Sequence, residues 1–449
     1  MESGSETTLR FLLSTLYRML DKRKIIIALI GLLTLLGGFL IFKYGFKKDV
    51  NPEKVTIVVW GLFDDSGKFR NIIELFNADY SYITIEYYKK DPTTFENELI
   101  DALATGRGPD VFLIHNTWLP KHKEKLLPLA KEIAGLKDFQ ETFVDVAYQD
   151  FIDEAGNIYS LPVWCDTMAL FWNKDYFNRE GITRAPVSWE EFSEDVVKLT
   201  LKDENGNLLR SGAAIGAARN INRSTDLLSL LMLQTGTKMV NQAGLISFDS
   251  TVNYQGQSYT SGEEALRFYT DFANPQKSVY TWNRQQDYSI DAFIEGEAAM
   301  IFNYAYNLPL IEARAPHLNF AVAPMPQTKN TQKDINYANY WSYAVSRTGQ
   351  QPAAAQNFVW WLAQEKNARA YLEYFNRPAA RRDLIEEQKN DATLGVFSRQ
   401  ALTAQSWPQP DNLVVEQIFA DMIEEVVLGQ ATVKDALLRA ASRVKLVAK

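Results

Sequence analysis

Trp60, Phe63, Asp64 and Asp65 end the apolar run VTIVVWG and its turn, and Asn116 and Trp118 stand just past another run, DVFLI. Rings, carboxylates and amides in such places are binding chemistry. Ring faces take apolar surface and the polar groups take hydrogen bonds, at the strand ends where open α/β sheets hold ligands. Each residue has a plainer reading beside this one: Asp65 can cap a helix, and Trp118 can cover the edge of a core. Groups for covalent or metal chemistry are scarce. A single cysteine, Cys165, excludes an intramolecular disulfide and a cysteine zinc site, and suits packing better than reactivity. His115, His122 and His317 are too scattered for a metal cluster. GLFDDSG has glycines but neither the lysine nor the spacing of a phosphate loop. No metal and no cofactor is expected.

The elements that must hold those side chains follow from period and punctuation. VTIVVWG reads as a strand, and GKFRNIIELFNADY as a helix with Phe69, Ile72, Ile73 and Phe76 on one face. ITIEYY is a second strand. Thr93 and Glu96 have capping-box spacing for a helix ending near Thr105, and DVFLI is a third strand. Between them DALATGRGPD supplies a left-handed stop at Gly106 and a block at Pro109. Strand, helix, strand, helix, strand predicts a parallel sheet with crossover helices. Ser188 with Glu191, Ser261 with Glu264 and Thr432 with Asp435 mark later helix starts. ANYWSYAVS alternates as a strand, and AAAQNFVWWLAQEKNARAYLEYF reads as one helix.

A chain of 449 residues has room for two domains, and a net charge of −8 without a basic stripe argues against nucleic acid. The N-terminus differs from the rest. Ile25–Phe42 is uncharged and about as short as a bilayer span can be, with Lys22, Arg23 and Lys24 before it and Lys43, Lys47 and Lys48 after it. Bulky residues follow where a signal peptide needs small ones, and no cysteine follows for lipidation. The expectation is an N-terminal segment 1–24, a transmembrane anchor 25–42 and a linker 43–54 on a single-pass protein of the cell membrane; basic residues flank the anchor on both sides, so the positive-inside rule barely orients it. Leu9, Leu12 and Leu16 at helical spacing suit an interfacial helix before the anchor, and a partly ordered tail fits the segment equally well.

NIYSLPVWCDTMALFWNKDYFNREGI resembles the extracellular solute-binding proteins of the maltose-binding type that feed ABC importers, through Leu161-Pro162, Trp164–Thr167 and the aromatic-Asn-Lys-Asp turn at Trp172–Asp175. Ala104–Asp110 is similar to that family's turn before a strand. FIEGEAAMIFNYAY, NFAVAPMPQ and QALTAQSWPQPDN follow in the family's order, so the resemblance runs from about Val55 to the C-terminus. It implies a two-lobed α/β fold of the periplasmic-binding-protein type, each lobe a mostly parallel sheet with flanking helices. Lobe one would be 55–163 and 322–377, and lobe two 164–321 and 378–449. The chain would cross a hinge near Val163–Asp166, Phe320–Ala323 and Arg377–Ala380.

The resemblance also implies binding without catalysis. A small solute, most simply a sugar, would sit between the lobes, hydroxyls on Asp, Asn and Arg and C–H faces on rings. Permease subunits would be the partners, and the resemblance puts the segment 1–24 on the cytoplasmic side of the anchor and the domain on the extracytoplasmic side. It adds Asp166 in the first crossing, Asn220 and Asn222 in ARNINRS, and Trp407 in QSWPQP as ligand groups. A capped turn is the alternative for the two asparagines. Trp282 with Asn283 would form a rim, Asn303, Tyr304 and Tyr306 end an apolar strand, and alternation should bury one of Tyr340 and Trp341. A sensor coupled to a signalling partner would share these motifs, whereas a wall-associated glycosidase needs a carboxylate pair that nothing singles out.

Overall fold

The computed structural model describes residues 53–254, 257–329 and 333–448, with 7, 8, 10–12, 14, 15, 26, 27, 29–34 and 36 before them. The chain divides into two units, Met1–Lys54 and Val55–Lys449. The described residues before 37 are helical. Among the described residues no helix is long and apolar enough to cross a membrane. Residues 25, 28, 35 and 37–42 of the expected anchor, and 43–52 of the linker, lie outside the described residues.

The second unit opens as its sequence suggests. β1 (Val55–Gly61) buries Ile57 and Val59 and leads into α1 (Ser66–Asp79), which turns Phe69, Ile72 and Phe76 inward. β2 (Ile83–Lys89) lies parallel to β1. α2 (Phe95–Ala104) starts one residue later than the capping box implies. Thr94 is its N-cap, and Asp91 takes the Thr93 amide at 2.8 Å, which leaves Glu96 free to pair elsewhere. Gly106 follows α2 at φ 68°, where a Cβ would be strained. Asp110 then accepts the amides of Val58 at 2.9 Å and Gln351 at 3.0 Å, tying β3 (Val111–His115) to its neighbours.

The first sheet runs β2, β1, β3, Trp341–Ser346, Leu126–Leu127, with Trp341–Ser346 antiparallel to β3. The second sheet corrects the expectation of parallel strands in both lobes. Met300–Asn303 and Phe320–Ala323 both run antiparallel to the central strand Ala169–Asn173. The βαβ rhythm that signals parallel pairing is a feature of the first half alone.

Three connecting segments lie side by side. Trp164 bridges Ala379, Cys165 N–H donates to the Pro378 carbonyl at 3.1 Å, and Thr167 bridges Ala338. Side chains up to Cys165 pack into the first core, and Met168 begins the second. Phe320–Ala323 is a strand of the second sheet and not a crossing; Tyr337 still packs in the second core, and Ala338 is the first residue back in the other. Leu384 and Ile385 remain in the first core, whereas Leu394 and Phe397 pack with the second half. Beyond them Ala401 and Ala404 pack in the first core again.

Cap chemistry explains the remaining differences. Ser188 and Thr432 accept the amides of Glu191 and Asp435 at 3.2 and 3.1 Å, as their spacing predicts. Ser261 is instead the first helical residue, after Thr260. The single long helix is two, Pro352–Leu362 and Glu365–Phe375. Asn367 and Gln364 amides cap the Trp361 and Trp360 carbonyls at 2.8 and 3.1 Å, so the break leaves those acceptors satisfied.

Candidate functional site

A cavity of about 480 Å³ is walled by residues from both halves of the second unit. Its first-half wall carries Phe63 from the end of β1, Trp341 at the start of its strand, and Phe375, Asn376 and Arg377 from the end of a helix. Its second-half wall carries Arg223, Ala305, Tyr306 and Pro309, and the connecting segments add Trp164, Asp166, Asn339 and Pro378. Phe63 and Trp341 meet edge to face with ring centres 5.8 Å apart. Tyr306 is 52 % exposed and stacks on buried Tyr304 at 5.7 Å.

Two arginines enter from opposite sides. The Arg377 guanidinium hydrogen-bonds to Asp64 at 2.6 Å and lies 4.3 Å from the Trp164 ring centre. Tyr371 O–H donates to the other Asp64 oxygen at 2.5 Å, so this buried carboxylate is a support for Arg377, not a cavity wall. Arg223 sits at φ 57° before the helix Ser224–Gln234, with Asp226 at 3.7 Å and Glu416 at 3.6 Å. At those lengths the pairing is electrostatic, without a close hydrogen bond.

Asp166 is the buried acid of the site. Its carboxylate accepts three backbone amides, from Thr167 at 2.9 Å, Ala305 at 3.1 Å and Tyr306 at 3.2 Å. Burial nevertheless pushes its pKa up to about 7, against those amides and the Arg377 charge, which pull it down. Asp150, behind Tyr340, is raised to about 7 by burial despite bonds from Ser406, Tyr340 and Asn116. His115 is lowered to about 4 by burial and the Arg223 charge. An ion pair, two guanidinium faces, an amide and several ring faces can hold a polar guest.

Of the residues expected from sequence, Phe63, Asp166, Tyr306, Tyr340 and Trp341 line the cavity. Tyr340 does so while its hydroxyl is turned back to Asp150 at 2.7 Å, so Trp341 is the half of that pair presented to the gap. The others are not among the cavity's lining residues. Asp65 caps α1 through the amides of Gly67 and Lys68. Trp60 lies under the Lys90 ammonium at 4.2 Å. Asn116 donates to Asp150 at 3.2 Å, and Trp118 is buried beside Phe95. Asn220 holds the Trp282 indole at 3.1 Å and the carbonyls of Asn283 and Gln286, and Trp282 is wholly buried. Asn222 bonds Asn303 and Tyr288, and Tyr304 donates to Asp226 at 2.8 Å. Trp407 is a core ring of the second half, stacked on Phe419 at 5.8 Å.

Sequence reading missed Arg223, Asn339, Phe375, Asn376 and Arg377. The signal for Arg377 was its place before Pro378 in a crossing already recognised. Arg223 stood in the ARNINRS loop, where the asparagines drew attention instead. Pro92 and Pro309 carried no signal.

Residues 61–369 match the family model described as bacterial extracellular solute-binding protein. The chain is 23 % identical over 400 residues to the galactooligosaccharide-binding protein of Bacillus subtilis, covering 87 % of this chain and 88 % of that one. To the maltodextrin-binding protein of the same organism it is 25 % identical over 306 residues, 66 % of each chain. Among solved structures, the sugar-binding protein MalE of Xanthomonas citri superposes with a TM-score of 0.72 at 19 % identity, over 88 % of this chain and 97 % of that one. A cyclo/maltodextrin-binding protein in complex with maltotetraose gives 0.71 at 18 % identity, over 89 % and 98 %.

Proposed function

Because this chain belongs to the bacterial extracellular solute-binding protein family, we propose that it captures a sugar or oligosaccharide between its two halves and hands it to the permease subunits of an ABC importer. The observation that carries this reading is the cavity itself, walled by the exposed Tyr306 of the second half and by Trp341, which packs against the first core. Ring faces suit the C–H faces of a sugar, and Arg223, Asn339, Arg377 and Asp166 suit its hydroxyls. Relatives named for galactooligosaccharide and maltodextrin binding support the carbohydrate part. Ligand contacts made to both halves at once favour the closed arrangement, and closure about the connecting segments is the signal a permease reads. The ligand leaves unaltered.

The apolar run Ile25–Phe42 anchors the chain, with the binding unit on the extracytoplasmic side. Lys43–Lys54 reaches at most roughly 40 Å when extended, which keeps the unit near its transporter and raises effective concentration. The test is a melting-shift screen of the purified chain against sugars, polyols and other solutes. A sugar at about 100 times its Kd adds about 2.7 kcal/mol of stability by mass action. Silence from every sugar beside a clear shift from another solute class defeats the carbohydrate reading, and mass spectrometry of the recovered ligand tests its chemical integrity.

A further inference from the structure

The gap between the halves is not uniform along its length. Arg223 and Asn339 line the 480 Å³ cavity and also a second, constricted arm of about 20 Å³. That arm has space for little more than a water molecule. His115 and Thr117 of the first half face Asp226 and Asn412 of the second across it, and Asn339 donates to Asp226 at 3.0 Å.

At this end the halves are directly joined. The Trp118 indole N–H, from the first core, donates at 2.8 Å to Asn412, the first residue of a helix whose apolar face builds the second core. One turn on from Trp118, the Lys121 ammonium lies 2.6 Å from Asp411 of the second half and 2.6 Å from Glu96 of α2. Glu96 also takes His122 at 2.7 Å. Burial alone would raise the Glu96 pKa, yet His122 and Lys121 hold it down to about 2, so the carboxylate stays charged for Lys121. Lys121 is thus a cation shared by a carboxylate from each half, next to a hydrogen bond that also spans them.

We propose that Trp118 and Lys121 with Asp411 and Asn412 form a clasp that shuts one end of the cleft, so that a ligand is confined to the cavity by Arg377 and a longer chain cannot run through. This deepens the reading above and rests on it. The clasp sets the upper length of the sugar, not the affinity for one terminal ring. Its charged half is partly exposed and therefore weakens as salt screens it.

Two variants of the full chain test this: Lys121→Met with Asn412→Ala, which spares the Asp411 cap, and Asp411→Ser, which keeps a capping oxygen and removes the charge. Both should melt as cooperatively as the parent. Without ligand, small-angle scattering should give each a larger radius of gyration than the parent, and about 0.5 M salt should move the parent toward them. Maltose and maltotetraose are the probes for length. The preference for maltose over maltotetraose should fall about tenfold in both variants, because the constricted end becomes available. Folded variants with the parental radius and parental preference overturn the clasp even if both sugars bind. Variants that expand while neither sugar binds any form uphold the clasp, and the melting-shift screen over all sugars then decides the carbohydrate reading separately.

Discussion

Arg377 lies over Trp164, its guanidinium carbon 4.3 Å from the ring centre, while one of its nitrogens holds Asp64 at 2.6 Å. The tryptophan belongs to the first connecting segment and the arginine adjoins the third, so the contact ties these two segments together. A cation–π contact and a charge-assisted bond act on one planar group here, which lysine could not reproduce.

Arg377→Ala leaves the Asp64 carboxylate buried without its cation. The expected loss is about 3–5 kcal/mol in denaturant unfolding, as for other broken buried pairs. Asp64→Asn with Arg377→Met should cost less than Arg377→Ala alone, since no charge is then stranded. Additive losses would show that the two residues act independently.

Tyr306 and Trp407 separate the cavity from the core. Tyr306→Ala removes an exposed ring and should leave the melting point nearly unchanged while weakening ligand about tenfold, or about 1.4 kcal/mol. Trp407→Ala should do the reverse, costing about 3–5 kcal/mol of stability through the cavity beside Phe419. Calorimetric titration with a ligand from the screen, beside thermal melts, reads both. Equal affinity in the Tyr306 variant would remove that ring from the site.

The pH dependence of stability has a definite sign for Asp166. Burial raises its folded pKa to about 7, above the unfolded value. The folded state therefore holds a proton that the unfolded state gives up, and this contribution is full below the unfolded pKa near about 4. It is lost as pH rises through 7. Asp150 acts in the same direction, and His115, lowered to about 4, acts in the opposite one and loses stability as pH falls. A difference against Asp166→Asn isolates the first. The parent's advantage over that variant should be larger near pH 5 than near pH 8; a constant difference would show that Asp166 does not titrate in that window. The variant should also lose about 1–3 kcal/mol outright, because an amide nitrogen cannot accept the Tyr306 N–H.

Local rules were readable in the sequence wherever one segment sufficed. The β-branched run at Val55, the left-handed stop at Gly106 and the caps at Ser188 and Thr432 are each decided by residues within a few positions. Where two neighbours competed for the same role, the sequence was mute: Thr94 took the cap from Thr93, and side-chain amides split one helical pattern into two. The order of family motifs along the chain was enough to anticipate two lobes.

Which rings face solvent and which fill a core was beyond it. Trp282, Tyr304 and Trp407 have the same chemistry as Trp341 and Tyr306, and only the packing of distant elements buries the first three. Asp64 and Arg377 are 313 residues apart, and no period or spacing links them. Sequence fixes the menu of local conformations through sterics and backbone hydrogen bonding. The cavity wall, the supported arginine and the joined end of the cleft come from contacts between residues remote along the chain, and these exist only once both cores have closed.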